Sequence, residues 1–430
     1  MQLNEIDLWM IQGTAAMNKI SKKTDGIHGK ILKKINLDGN FAAFLKMNAC
    51  FTGFFTIMSL FINTFLLKDS MNMDRVMIYN MILVSVQPFS MVGTVFVVRH
   101  TSPGVSQRIG LSIYGLVFIL LAIFGENAAG YYWAIAILLS VAAGFFYVTY
   151  ALQIVSYTND SNRDTTSGMI SLIGSLIAFI IPLVSGFVLS LSKGFTGYRI
   201  LFVLMLLLVL QAAVFTTKLA PLGEFDHDKQ THFKEVLKAL LRNKTGQKVM
   251  AITAIGGVRD GTMAFFISIL IYQFIKNEML IGVNSSLGSI AAIVSASLYG
   301  LLIKPSKRSR SVYLSVTLVV IATAFLYFKL DPTVLIAFNV VNSLLGTFII
   351  MPQTNVYYAI LQSLDSIRGK GAEVHTVREF FYGAGRVSGI VLTMLLPGSA
   401  AGSVTAIMML AASQYLSAWL IYRIQKQLNS

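Results

Sequence analysis

The chain has 430 residues, of which 55% are hydrophobic and 12% are charged, whereas an ordinary soluble protein is roughly 25% charged. The apolar residues occur in runs of about 20, the length that crosses ~30 Å of hydrocarbon, which excludes a water-soluble fold. The formal charge of +15 is spread over the connections between these runs, which excludes a basic nucleic-acid-binding domain.

Cysteine and leader signals are nearly absent from the sequence. Cys50 is the lone cysteine, so we expect no disulfide framework, no thiolate metal site and no redox cofactor. Residues 1–40 contain no apolar segment followed by a small-residue cleavage site. We therefore predict that the first span itself serves as the membrane signal.

Six apolar segments precede a polar stretch in the middle of the chain. We predict spans at residues 41–67, 76–98, 109–125, 131–153, 167–191 and 200–219. Residues 220–248 are too polar to cross a bilayer and are predicted to form a linker. Within the linker, apolar residues recur at helical spacing with basic residues between them, as in Phe233, Val236 and Leu240. This pattern predicts a linker helix, and a helix lying on the membrane surface is the alternative.

Six further apolar segments follow the linker. We predict spans at residues 249–275, 281–303, 312–328, 333–362, 376–396 and 403–422, where Pro352 is expected to kink or shorten the tenth. The predicted fold is all-α and polytopic, with about twelve transmembrane helices. Its parts are a tail at 1–40, bundles at 41–219 and 249–422, the linker at 220–248 and a tail at 423–430.

The basic residues are distributed unevenly between alternate connections. Most of them lie in the tails, the linker and the even-numbered connections, whereas the odd-numbered connections hold Lys68, Arg75, Lys193, Arg199, Lys276 and Lys329. Because positive residues favour the cytoplasmic side, we predict that both termini and the linker are cytoplasmic. A bacterial-type cytoplasmic membrane is the expected location.

The second and eighth spans each carry a glycine that is followed by a basic connection. Gly93 precedes Arg99, His100 and Arg108, and Gly300 precedes Lys304, Pro305, Lys307, Arg308 and Arg310. These positions correspond in the two halves, which indicates an internal repeat. Six spans, a linker and six more spans with such loops resemble the major facilitator superfamily of secondary transporters over nearly the whole chain.

The resemblance implies two six-helix bundles around a central cavity, with alternating access by rocking of the halves. It implies gating roles for Arg99, Arg108, Lys304 and Arg308. The acidic residue common in that family's first loop is missing between Gly93 and Arg108, which argues against the usual gating salt bridge there.

Ionisable residues inside the spans are the sharpest functional signal, because each costs at least about 2.5 kcal/mol at a helix centre. Arg259 and Asp260 lie deep in the seventh span, and Arg386 lies at a similar depth in the eleventh. As sequence neighbours, Arg259 and Asp260 should diverge by about 100° and find partners on other helices. Glu379, Tyr382 and Arg386 should share one face, with Arg378 on a neighbouring face.

These charges have two interpretations that the sequence leaves open. Buried pairs can simply hold bundles together. Alternatively, Arg259 or Arg386 binds a carboxylate or phosphate, and Asp260 or Glu379 takes up a coupling proton. The basic surplus in the spans favours an anion, although Lys46 can extend to the cytoplasmic interface. Further cavity candidates, which can equally serve packing, are Asn48, Tyr147, Tyr150, Gln153, Asn339, Asn342 and Asn355.

The predicted function is secondary transport of a small solute, with the lipid bilayer and protons as partners and no cofactor, metal or nucleic acid. Export of an organic anion or amphiphile is favoured because exporters are numerous in the resembling family, and sodium coupling is also open. The sequence contains no HExxH and no GKS or GKT motif, which argues against an enzyme. A lipid flippase on the same scaffold is a second possible function, and a non-transporting receptor or scaffold is a third.

Overall fold

The computed structural model describes residues 39–157, 163–219, 230–367 and 369–428. These residues form helices and, within the described ranges, no strand. The first bundle consists of α1 (Gly39–Ser70), α2 (Met73–His100), α3 (Pro103–Phe124), α4 (Tyr132–Tyr157), α5 (Arg163–Leu191) and α6 (Thr196–Thr216). The short helix α7 (Phe233–Arg242) follows.

The second bundle consists of α8 (Lys244–Ile275), α9 (Glu278–Leu302), α10 (Arg308–Phe325), α11 (Pro332–Ser363), α12 (Gly371–Met394), α13 (Ala400–Ala412) and α14 (Gln414–Leu428). Together α13 and α14 occupy the twelfth span. The chain breaks between these two helices at Ser413, within the span predicted at 403–422. There the Gln414 amide donates to the carbonyl oxygen of Ile255 on α8 at 2.8 Å. The expected kink or shortening at Pro352 does not end α11, which continues through it.

Polar residues at the helix starts explain where several spans begin. The side chain of Asn72 caps α2, and Ser102 with Pro103 at the next position begins α3. Asn243 caps α8 in the same way, and Asp331 precedes Pro332 at the start of α11. Such side chains accept hydrogen bonds from amides that have no partner within the helix.

Within the described ranges, nine helical segments are long and apolar enough to cross a membrane, and one of them, Pro103–Ile154, contains both α3 and α4. Two helices fall outside this set because of their charged residues. Arg308 and Arg310 lower the mean hydropathy of α10, whereas α12 carries Arg378, Glu379 and Arg386. Counted with these two, the helices give twelve spans in two bundles of six, as the sequence predicts.

The two bundles meet along two helix pairs. Helix α2 packs against α12, and α5 packs against α9. On the second contact, Ser286 and Ser289 donate to the carbonyl oxygens of Phe179 and Ala178 at 2.7 and 3.1 Å. Glycines Gly186 and Gly282 allow the two backbones to touch. These contacts place a cavity between the halves.

Helix α7 coincides with the helical spacing predicted within the linker. Val236 and Leu240 are buried, while Leu237 and Leu241 are exposed. Its location on a membrane surface stays a prediction. Nearly all of the predicted tail at 1–40 and residues 220–229 of the linker lie outside the described residues.

Candidate functional site: a cavity with two buried ion pairs

A cavity of about 230 Å³ lies between the bundles, and α1, α5, α8, α9 and α11 form its wall. Arg259 and Asp260 supply its charged groups. Apolar side chains such as Phe55, Met263 and Ile267 form much of the remaining wall. Polar side chains also line it, including Ser59, Ser175, Ser268, Asn284, Ser285, Ser289, Asn339, Asn342 and Ser343. Hydroxyl and amide groups suit a polar solute, because they can replace the hydrogen bonds it loses on leaving water.

The two neighbouring charges of α8 form an ion pair. Arg259 Nη1 lies 3.1 Å from Asp260 Oδ1, and Arg259 Nη2 donates to Asn342 Oδ1 on α11 at 2.7 Å. The expectation that these neighbours do not face each other is wrong, because the long arginine side chain turns back along its own helix. The expectation that each has a partner on another helix is correct. Asp260 Oδ2 accepts from the Tyr382 hydroxyl of α12 at 2.9 Å.

A second ion pair lies within α12, away from the cavity wall. Arg386 Nη1 lies 2.8 Å from Glu379 Oε1, and the guanidinium lies 4.0 Å above the ring of Tyr382. The predicted shared face of these three residues is confirmed. Arg378, expected on a neighbouring face, lies 4.8 Å from the ring centroid of Tyr357 and also 5.8 Å from that of Tyr382.

Glycines allow α8 and α12 to approach closely enough for this network to form. A Cβ atom at Gly257 would overlap the carbonyl oxygen of Tyr382, and one at Gly261 would lie 2.5 Å from the Cα of Arg386. On the opposite helix, a Cβ at Gly385 would overlap the carbonyl oxygen of Ala254. Small residues permit such contact between membrane helices. The crossing therefore brings Asp260 and Tyr382 within hydrogen-bonding distance.

The cavity candidates named from the sequence divide into two groups. Asn339 and Asn342 line the cavity. The other five are not part of its wall in this conformation. Gln153 exchanges hydrogen bonds of 2.7 and 3.1 Å with Gln107, and Asn355 donates to the Tyr299 hydroxyl at 3.4 Å. Asn48 is buried, and Tyr147 and Tyr150 pack edge-on and stacked against Phe51.

An ion pair joins the bundles on the side of α7, which we call the linker side. Arg99 Nε at the end of α2 donates to Glu373 Oε1 at the start of α12 at 2.9 Å. Both side chains are buried, at 5% and 1% exposure. This linker-side ion pair takes its carboxylate from the second bundle, which explains how Arg99 is paired although the segment from Gly93 to Arg108 has no acidic residue.

The other basic residues assigned to gating lie outside this ion pair. Arg108 donates to the carbonyl oxygen of Gly104 at 3.2 Å, on an exposed surface. Lys304 is exposed and Arg308 is half-buried at the start of α10. Their gating role stays a prediction.

The linker itself contacts the same side through exposed charges. Glu235 on α7 pairs with Lys370, and His232 Nδ1 lies 3.3 Å from the same carboxylate. These hydrogen bonds, the one from Lys370 first, hold the pKa of Glu235 below its usual range.

Another ion pair, between Lys68 and Glu278, joins the two bundles on the side opposite the linker, which we call the far side. Lys68 Nζ at the end of α1 lies 2.8 Å from Glu278 Oε1 at the start of α9. The hydroxyls of Tyr198 and Tyr272 lie 3.2 and 3.4 Å from that oxygen. Sequence reasoning missed this far-side ion pair, although the placement of both charges at span ends on one side was a usable signal.

The architecture defines a polytopic α-helical membrane protein with a solute-sized cavity between two similar bundles. Comparison with known families identifies the group: the model of the Major Facilitator Superfamily matches residues 108–403. The chain belongs to this superfamily. It is a multi-pass membrane transporter of a small molecule.

Relatives by sequence are similar over different lengths. YqgE of Bacillus subtilis, described as uncharacterized, is 22% identical over 370 residues, which cover 85% of each chain. An uncharacterized Geobacillus stearothermophilus protein, from the region 3′ of sodM, is 24% identical over 157 residues. That match covers 36% of this chain and 73% of the relative.

Solved structures share the fold at low sequence identity. A bacterial homologue of the human drug peptide transporters PepT1 and PepT2 has a TM-score of 0.66 and 11% identity. The match covers 91% of this chain and 98% of that one. The nucleoside transporter NupG has a TM-score of 0.62 and 13% identity, with 90% and 98% covered. At these identities the likeness concerns the fold alone.

Proposed function

We propose that this protein is a proton-coupled secondary transporter that binds a small organic anion in the central cavity. The observation that carries the proposal is the position of Arg259 on the cavity wall. We place the protein in a bacterial-type cytoplasmic membrane with the linker side facing the cytoplasm, in accordance with the distribution of basic residues.

The contacts of Arg259 suit a carboxylate or phosphate ligand. Its two Nη groups bind Asp260 and Asn342, whereas its Nε has no acceptor among the described residues. A guanidinium presents donors in a fork that matches planar oxyanions. An anion in the cavity can therefore add to Nε or replace Asp260.

Charge balance supports coupling to protons. Arg259 is compensated by Asp260 while the cavity is empty, so an arriving anion competes with this carboxylate. Protonation of a carboxylate in the network leaves uncompensated positive charge beside the cavity and strengthens anion binding, and by reciprocity anion binding promotes proton uptake. Ligands that promote each other's binding move in the same direction. The geometry therefore favours uptake with protons over the export suggested by the family resemblance.

The test compares metabolites inside and outside three bacterial strains. One lacks the protein, one overproduces it, and one produces Arg259→Ala at the same level. We expect an organic anion to accumulate in the overproducer and to be depleted inside the deletion strain, with Arg259→Ala resembling the deletion. Depletion of an anion inside the overproducer would instead support export, and a solute that moves equally well with Arg259→Ala would refute the role of Arg259.

Two further outcomes would replace the proposal. A changed distribution of phospholipid between the leaflets, with no change in soluble anions, would support the flippase. Unchanged solutes and lipids would support a receptor or scaffold. Arg242→Ala is the matched control, because this arginine is exposed at the end of α7 and is not part of the cavity wall.

A further inference from the structure

The ion pair between Glu379 and Arg386 lies outside the cavity wall. Arg386 is fully buried and Glu379 is 1% exposed. Arg386 uses Nη1 for Glu379, whereas its Nε and Nη2 have no acceptor among the described residues. A buried guanidinium with two such N–H groups is costly, and it is able to receive a second carboxylate.

Tyr382 connects this pair to the cavity. Its hydroxyl donates to Asp260 Oδ2 at 2.9 Å, and its ring lies 4.0 Å from the Arg386 guanidinium. Arg386 also interacts electrostatically with Asp260. A continuous series of contacts thus runs from Arg259 on the wall through Asp260 and Tyr382 to Arg386 and Glu379.

Occupancy of the cavity changes the charge balance along this series. When an anion binds the Arg259 guanidinium, Asp260 loses its ion pair with Arg259. Asp260 keeps the hydrogen bond from the Tyr382 hydroxyl, and it lies near the N–H groups of Arg386 that have no acceptor among the described residues. Two carboxylates then share the single positive charge of Arg386. Because a charged carboxylate is disfavoured by burial and by a like charge nearby, one of the two takes up a proton.

We propose that Glu379 is the residue that takes up and releases the coupling proton, with Tyr382 and Arg386 as positioning residues that connect it to the cavity. This inference rests on the proposed function. Glu379 is eight residues from the linker-side start of α12 at Gly371, about 12 Å along the axis, whereas Asp260 is sixteen residues from the start of α8 at Lys244, about 24 Å. The proton therefore exchanges on the linker side of the anion.

Other charged and titratable groups belong to the same surroundings and enter the same balance. The helices packed against α12 include α2, α4, α7 and α8. Together with α12 itself, with α11 and with His232 just before α7, they contribute Arg99, Tyr147, Tyr150, Glu235, Arg259, Asp260, Tyr357, Glu373, His375, Arg378, Tyr382 and Arg386.

The experiment separates anion exchange from proton movement in proteoliposomes of the full chain. The probes are radiolabelled lactate, succinate and inorganic phosphate, and an entrapped pH-sensitive dye reports protons. We expect wild type to move protons together with at least one probe. Glu379→Gln should keep exchange of labelled for unlabelled probe but lose proton movement by about 10-fold or more, because the amide binds no proton.

Tyr382→Phe removes only the hydroxyl and provides a second variant if Glu379→Gln does not fold. Tyr382→Phe should reduce the number of protons moved per anion by about 3-fold or more while anion exchange continues. A simple loss of packing would lower both activities together. Glu126→Gln is the matched control, since Glu126 is exposed outside the network, and it should retain both activities.

The outcomes distinguish the two proposals. If Glu379→Gln and Tyr382→Phe both move protons like wild type, Glu379 is not the coupling residue, yet transport of the anion stands. If wild type exchanges none of the three probes, the proposed transport of small anions fails and the proton role of Glu379 fails with it.

Discussion

The two bundles share an architecture but differ in what their interiors contain. In the described part of the first bundle, charged residues lie within about two turns of helix ends, and the interior is aromatic. Phe51 and Phe146 stack with ring centroids 3.7 Å apart, and Phe54 and Phe55 pack against Phe51. The second bundle instead holds Arg259, Asp260 and Arg386 deep in its helices, and it buries Arg378 and Glu379 about two turns from the start of α12.

This difference indicates a division of labour. Aromatic stacking stabilises a rigid wall without polar groups that need partners, whereas buried charges are costly and are expected where a membrane protein binds or couples ions. We infer that the second bundle recognises the solute and the first moves against it as a rigid body. The substitutions below test this division, beginning with the largest expected effect.

Removing the central aromatic stack should destabilise the first bundle without changing selectivity. Phe146→Ala leaves a cavity beside Phe51 and is expected to lower the free energy of unfolding by about 3–5 kcal/mol. Unfolding of the purified protein in detergent measures this. Phe124→Ala is the control, because that side chain is exposed and should cost far less. A changed order of preference among transported anions would contradict the division.

Neutralising the linker-side ion pair should favour opening on that side. Glu373→Gln leaves the buried charge of Arg99 uncompensated, at a cost of about 1–3 kcal/mol to the closed arrangement. Cavity access is measured by maleimide labelling of Ala292→Cys in a Cys50→Ser background, with the reagent applied on the linker side. We expect labelling about 10-fold faster, since about 1.4 kcal/mol corresponds to a factor of ten. Glu373→Asp should be labelled at nearly the wild-type rate. An unchanged labelling rate in Glu373→Gln would argue against a gating role for the linker-side ion pair.

The far-side ion pair should have a smaller effect, because Lys68 is partly exposed at 26%. Lys68→Met is expected to cost roughly 1 kcal/mol and to accelerate far-side labelling of the same cysteine a few-fold. Glu278 keeps the hydroxyls of Tyr198 and Tyr272, which limits the loss. Lys193→Met serves as a control on that side. If Lys68→Met accelerates labelling more than Glu373→Gln does, the far-side ion pair contributes more to closure than the linker-side ion pair, contrary to this prediction.

The smallest expected effect concerns Glu235 and pH. Hydrogen bonds from Lys370 and His232 lower the pKa of Glu235 below its ordinary value of 4.5. The stabilisation is therefore present above that value and is lost as the pH falls through the lowered pKa. The difference in thermal midpoint between wild type and Glu235→Gln should be present at pH 7 and should shrink as the pH falls through the lowered pKa. A difference that persists at the lowest pH would exclude this carboxylate as its source.

Much of the fold could be predicted from the sequence, because membrane spans are determined by the length of the apolar segments and by the polar residues that separate them. The predicted starts and ends lie within a few residues of many of the helix ends, and the periodicity around Val236 located α7. The break at Ser413 was missed because it depends on Gln414 contacting α8, a contact between residues 159 positions apart.

The site was predictable in composition but not in pairing. Periodicity alone placed Glu379 and Arg386 on one face. It could not reveal that Arg259 turns back to Asp260, since a long side chain is not bound by the direction of its Cβ. The pairing of Arg99 with Glu373, 274 positions away, is set by how the bundles dock, and no local pattern encodes that.

Binding of the transported anion by Arg259 can be tested by proton-driven uptake into proteoliposomes that contain either wild type or Arg259→Gln. Lactate, succinate and inorganic phosphate are supplied in turn. We predict that wild type accumulates at least one of these anions when the outside is acidified, and that Arg259→Gln, folded and equally abundant, accumulates none. Equal accumulation by the variant would contradict the proposal that Arg259 holds the anion.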